Sequence, residues 1–260
     1  MEGDMKHIMK MDFYRVFCRS RFWAATIAVA LLWEAAGRRF LSYGDVLGII
    51  FHGTGRSTVN MIAVIVCNVT YGLGVCEDMQ NGTFWNLMSR VSKKKYAFSK
   101  IISVMIGTTS CYVLGTMTYI LMMTVRYPLV LENSIAVENL KELSSFSFLL
   151  PQHPMLYLII QLLLTGLCCS WLGCFAVAFS AYLRDSFVTL CLPLVLYYLV
   201  FYIAYDGLRL PVNIEQIYMM MIAEESCAMF LIRALTVTVL SGMGAVIILY
   251  RGVRRKCEYA

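Results

Sequence analysis

At 260 residues, 60% hydrophobic and only 15% charged, this chain is too apolar for an ordinary soluble domain, which is about 45–50% apolar and about 25% charged. The surplus needs lipid as its solvent, and too little polar sequence remains for a sizeable soluble domain. A formal charge of +6 lies in short basic clusters beside apolar runs, which suits anionic headgroups and excludes a basic nucleic-acid-binding domain.

Residues 9–20 are expected to form an N-terminal interfacial helix. Met9, Phe13, Val16 and Phe17 fall at i, i+4, i+7 and i+8, with Asp12, Arg15 and Arg19 on the other side. A cleaved leader is not expected, because Glu2, Asp4 and Asp12 precede the apolar run and no A-x-A site follows it. The first span is read over 22–41. Its apolar core, Phe22 to Trp33, is short against the ~20 residues needed to cross, so Glu34, Arg38 and Arg39 are assigned to the outer interface. Glu34 and Arg38 stand four apart with the acid first, the favourable order for an ion pair on one helix face.

Residues 42–57 form a mixed outer connection. Its GTGRST (Gly53 to Thr58) lacks the closing Gly-Lys of a phosphate loop and follows no soluble strand. No such loop occurs elsewhere, so the chain carries no nucleotide motor. Further spans are read over 58–76, 97–125, 154–182, 187–205 and 228–250. Gly107 and Gly115 in the third allow close helix approach, as do Gly166, Cys168, Cys169, Ser170, Gly173 and Cys174 in the fourth. A short surface helix is expected at Ala136 to Leu143, and Pro151 and Pro154 set the start of the fourth span.

Six spans put both termini on one side. Of the 22 lysines and arginines, fifteen fall on the side of the termini and seven on the other, which orients the termini to the cytoplasm. The whole of 1–260 is read as a single transmembrane permease domain, an all-α integral membrane protein. No enzyme is expected: HExxH and GxSxG are absent, and no paired carboxylates face each other within the spans. No cofactor or metal is expected either, since the ten cysteines form no CxxC pair and His7, His52 and His153 have no ligand spacing.

Spans two to five have no charge in their middles, which argues against a proton-coupled path. Arg233, near the outer end of span six, either pairs with Glu224 and Glu225 or contacts cargo. Tyr198, Phe201, Tyr202 and Tyr205, with Tyr197 adjoining, put a ring-rich face on span five. That face lines a cargo path, forms an interfacial belt or meets another subunit.

The polar break from Glu77 to Lys100 separates two strongly apolar runs. It carries Arg90, Lys93, Lys94, Lys95 and Lys100 against only Glu77 and Asp78. Within it Phe84, Leu87, Met88 and Val91 fall at i, i+3, i+4 and i+7, and Asn81-Gly82-Thr83 is a natural helix start with Thr83 in reach of capping. A short amphipathic helix is therefore expected over 82–94, between spans two and three.

An acid closing span two, then Gly-Thr, a Leu, Ser-Arg, a basic run and a Tyr before a Lys opening span three resembles the permease subunits of type-2 ABC exporters. The matching residues are Glu77, Gly82, Thr83, Leu87, Ser89, Arg90, Tyr96 and Lys100. The resemblance implies that 82–94 is a cytoplasmic coupling helix that docks on a separate ABC ATP-binding subunit through Glu77, Gly82, Thr83, Phe84, Leu87, Met88, Arg90 and Val91. It implies two ATPase copies, holding the ATP and Mg that this chain lacks, and a second permease, identical or related. The setting is a bacterial plasma membrane, with membrane lipids but no nucleic acid as partners. The cargo expected is hydrophobic or amphipathic: a peptide, bacteriocin, lipid-like molecule or drug. Alternatives from the residues alone are a six-span scaffold that transports nothing and a motor-free transporter or channel.

Overall fold

The computed structural model describes residues 2–56, 58–131, 134–183, 185–202 and 226–258, and among these the chain is helical with no strand. In order come α1 (Glu2–Phe17), α2 (Ser20–Gly37), a 3-10 turn (Arg38–Tyr43), α3 (Val46–Arg56), α4 (Thr58–Val69) and α5 (Gly74–Gln80). There follow α6 (Thr83–Met88), α7 (Lys93–Thr124), α8 (Ile135–Leu143), a 3-10 turn (Ser147–Leu149), α9 (Pro154–Ser180), α10 (Ser186–Tyr202) and α11 (Cys227–Glu258).

Three of these helices, α7, α9 and α11, are long and apolar enough to cross a membrane. Two bent pairs raise the count to five if each is one span: Met5–Phe17 with Ser20–Tyr43, bent by 49°, and Ile62–Val69 with Gly74–Gln80, bent by 42°. Outward faces agree with an apolar solvent. Trp23, Ile27 and Leu31 on α2, and Ile232, Leu235, Val239 and Met243 on α11, are exposed at spacings of three and four. Such continuous apolar stripes are unfavourable in water and ordinary in lipid.

Helix α7 is the hub, with α9, α2, α1, α11 and α4 packed around it. Lipid removes the hydrophobic drive between helices, so close packing and interhelical hydrogen bonds must hold them. A Cβ on Gly115 would lie 2.7 Å from Val29 Cβ and 2.8 Å from the Thr26 carbonyl, so this glycine sets how near α2 comes. Gly107 does the same for α1, where a Cβ would meet Val16 at 2.8 Å. Trp33 Nε1 on α2 donates to Thr116 Oγ1 on α7 at 3.0 Å, and Thr109 Oγ1 on α7 donates to the Gly166 carbonyl on α9 at 3.1 Å. Cys67, Cys111, Cys169 and Cys174 are buried as small apolar side chains, and no disulfide is present among the described residues.

Several local readings hold. Helix α9 starts at Pro154, and α8 starts at Ser134, whose hydroxyl accepts from Ala136 N. Others shift. The connection after the first span contains an 11-residue helix, α3. Its start is fixed by buried Asp45, which accepts from Gly48 N, and by Val46 N and Leu47 N donating to the carbonyls of Pro128 and Leu129. The expected helix over 82–94 is only six residues long. It ends where Ser89 Oγ turns back to the Asn86 carbonyl, and Ser92 is extended at the start of α7.

Candidate functional site

The basic end of the bundle holds a buried ion cluster directly behind α6. Lys100, about two turns into α7, has no solvent exposure. Its Nζ lies 2.9 Å from Asp12 Oδ1 and 2.8 Å from Asp78 Oδ2, and it donates to Tyr71 OH at 2.7 Å. The rings of Tyr71 and Tyr96 flank the same ammonium at 5.1 and 5.3 Å. Asp12 is equally buried and accepts from Tyr71 OH at 2.5 Å and Ser99 Oγ at 2.7 Å. Asp78 accepts from Arg15 at 2.7 Å and Tyr96 OH at 2.9 Å. Two cations and two carboxylates thus balance inside the protein, each hydrogen-bonded by neighbours.

A buried charge is tolerated only with that degree of pairing, and its chief effect is to fix register rather than to add net stability. Here the register joins four segments: α1 (Asp12, Arg15), the bend between α4 and α5 (Tyr71), α5 (Asp78) and α7 (Tyr96, Ser99, Lys100). At the rim Glu77 pairs with Arg19 at 2.5 Å and with Arg21, closing the corner between α1 and α2 onto α5.

Helix α1 is accordingly rotated from the sequence expectation, with Val16 common to the expected and the buried face. Ile8, Asp12 and Val16 are its buried stripe, while Met9, Phe13 and Phe17 are half-buried and Tyr14 is exposed. The acid read as facing water is the most buried polar group on the helix, because its cation lies far along the chain. Lys100, read as the lysine opening span three, is that cation. The spacing of Ile8, Asp12 and Val16 was the available signal, an acid in the middle of a one-face stripe.

Helix α6 hangs from this cluster. Gly82 enters it at φ 69°, a left-handed conformation that disfavours any side chain. Thr83 Oγ1 donates to the Asp78 carbonyl and carboxylate, both at 3.2 Å, so it ties the helix to the cluster instead of capping it. Phe84 is 1% exposed and packs edge-on to Tyr96. Leu87, Met88 and Val91 are half-buried against the core. The face expected to dock elsewhere is therefore largely the face that seats α6 on its own chain. Trp85, 49% exposed, and Asn86, Ser89 and Arg90 point outward.

The remaining expected site residues lie elsewhere. Tyr198 is exposed on α10; Phe201 and Tyr202 end that helix, their side chains falling outside the described residues, as does all of Tyr205. Arg233 is half-buried in α11, and Glu224 and Glu225 fall outside the described residues. No group of three or more His, Cys, Asp or Glu with metal-ligand geometry occurs among the described residues.

Compared with known proteins, the chain matches no family model, no curated protein and no solved structure.

Proposed function

We propose that this chain is the membrane-spanning subunit of an ATP-driven exporter of the type-2 ABC kind. In this reading it has six spans, α10 supplying the one added to the five counted above. Both termini face the cytoplasm of a bacterial cell. A second permease, identical or related, completes the path for a hydrophobic or amphipathic cargo. Two copies of a separate ATP-binding subunit hold the ATP and Mg.

One observation carries the reading: a short helix with an outward tryptophan is fastened from behind by a fully paired ion cluster. A lever needs a grip on one side and a stiff attachment on the other. Trp85 and Arg90 supply the exposed grip, since aromatic and arginine side chains dominate binding energy at protein interfaces. Thr83, Phe84, Asp78 and Tyr96 supply the attachment. Force on α6 then reaches α5, α7 and α1 together, because Asp78 and Lys100 bind all three. Glu77, Gly82, Leu87, Met88 and Val91, which the resemblance implies as docking residues, serve in this lever as its seat, with Trp85 added as the contact.

The test is purification of the full chain from its native membrane in mild detergent, with assay of Mg-dependent ATP hydrolysis. The expected result is an ATP-binding protein that co-elutes, whose hydrolysis rate falls with Trp85→Ala. Absence of any ATP-hydrolysing partner overturns the proposal.

A further inference from the structure

The outward faces of α1 and α2 form one line that changes character at the bend between them. On α1, Lys6, Lys10, Tyr14 and Cys18 follow one another at spacings of four and are exposed, on the side away from buried Ile8, Asp12 and Val16. Past the bend the exposed line on α2 is Trp23, Ile27, Leu31 and Ala35. In chain order the line is basic, then aromatic, then aliphatic. The two rings, Tyr14 at 69% and Trp23 at 56% exposed, flank the bend.

No single solvent suits both ends of this line. Each lysine carried to the middle of a bilayer costs about 2.5–3.5 kcal/mol, and water would leave the stripe on α2 an uncovered apolar patch. The solvent therefore changes between Lys10 and Ile27, where the rings stand. Tyrosine and tryptophan favour such a boundary because each joins an apolar body to a polar tip. The backbone at the bend fits the same place. Helix α1 ends at Phe17, whose carbonyl accepts from Trp23 Nε1 at 3.1 Å. That gives an end-of-helix acceptor a partner within the chain, as a layer poor in water requires. Arg19 and Arg21, half-exposed beside it, are held by Glu77.

We infer that this bend is a membrane anchor: Tyr14 and Trp23 sit among phospholipid headgroups, α2 enters the hydrocarbon core from there, and α1 stays outside it. The face that meets the headgroups is not the Phe13 and Phe17 face expected from the sequence, which is half-buried. The inference needs only a bilayer around α2; it does not depend on an ATP-binding partner.

The test uses the full chain with fluorotryptophan at its four tryptophans, reconstituted in phosphatidylcholine vesicles and followed by fluorine NMR. The Trp23 signal is assigned as the one lost in Trp23→Phe. The vesicles are doped with phosphatidylcholine that carries a nitroxide either on the headgroup or at the methyl end of an acyl chain. Trp23 should lose its signal to the headgroup nitroxide and keep it with the chain-end nitroxide. Tyr14→Trp should add a signal that behaves as Trp23 does, and Leu31→Trp one that is lost to the chain-end nitroxide. Loss of Trp23 to the chain-end nitroxide overturns the inference, because the bend then lies within the core. So does survival of Trp23 with both nitroxides, which would put protein or water over the bend instead of lipid. A Tyr14→Trp signal that follows Leu31→Trp, or a Leu31→Trp signal that follows Trp23, overturns it as well.

Discussion

Lys100 and Asp12 stand 88 positions apart in the sequence and 2.9 Å apart in the fold, and neither has any solvent exposure. The pair fastens the N-terminal helix to the hub helix at the level where α6 is attached. Its energetics are asymmetric. Removing one partner strands a buried charge, while removing both leaves the Arg15–Asp78 pair neutral and largely intact.

Lys100→Met should therefore destabilise the chain by about 3–5 kcal/mol, because Asp12 and Asp78 then share one cation. Adding Asp12→Asn should recover much of that loss. Thermal unfolding in detergent checks this through the order wild type, double variant, single variant. A double variant less stable than Lys100→Met alone would contradict the pairing.

The adjacent aromatics Phe84 and Trp85 should separate stability from partner binding. Phe84→Ala empties a buried site against Tyr96 and should cost about 3–5 kcal/mol. Trp85→Ala removes an exposed ring and should leave unfolding within about 0.5 kcal/mol of wild type. It should nonetheless lower the ATP hydrolysis that co-purifies with the chain. Equal destabilisation by the two substitutions would refute the orientation of α6.

How much of this was legible in the sequence depended on distance along the chain. The start of α9 was readable because Pro151 and Pro154 act on their immediate neighbours. Gly107 and Gly115 were readable as close-approach points because lipid leaves small residues few other uses. The direction in which α1 and α6 face was not. Periodicity put Phe84 and Leu87 on one face and Asp12 and Arg15 on another, but which face turns inward is decided by Lys100 and Tyr96. Those residues belong to α7, and nothing in the local pattern names them. The short length of α6 was hidden as well, because Ser89 ends it through a side-chain bond that competes with the helix.

Gly82 should resist substitution for a backbone reason alone. A Cβ there meets nothing within 4 Å, yet φ is 69°. Gly82→Ala should cost about 1–2 kcal/mol, the penalty of a left-handed residue with a side chain. Thermal unfolding of this single variant provides the check, and an effect near zero would mean that α6 starts in another conformation.

Cysteine reactivity should report both packing and sidedness. Cys18 is exposed at the joint of α1 and α2, whereas Cys67, Cys111 and Cys169 are buried. In a variant keeping Cys18 as its sole cysteine, a membrane-impermeant maleimide should label inside-out vesicles and spare intact cells. Labelling from outside would place the basic end, and α6 with it, away from any cytoplasmic motor.

The most direct test of the lever reading is site-specific crosslinking from α6. A photoreactive phenylalanine analogue in place of Trp85, in the full chain expressed in its native host, is irradiated in the membrane and its adduct identified. The account predicts a cytoplasmic ATP-binding subunit as the major adduct, lost when the analogue replaces Phe84 instead. An adduct confined to lipid or to the chain itself, with no ATP-binding protein attached, would contradict it.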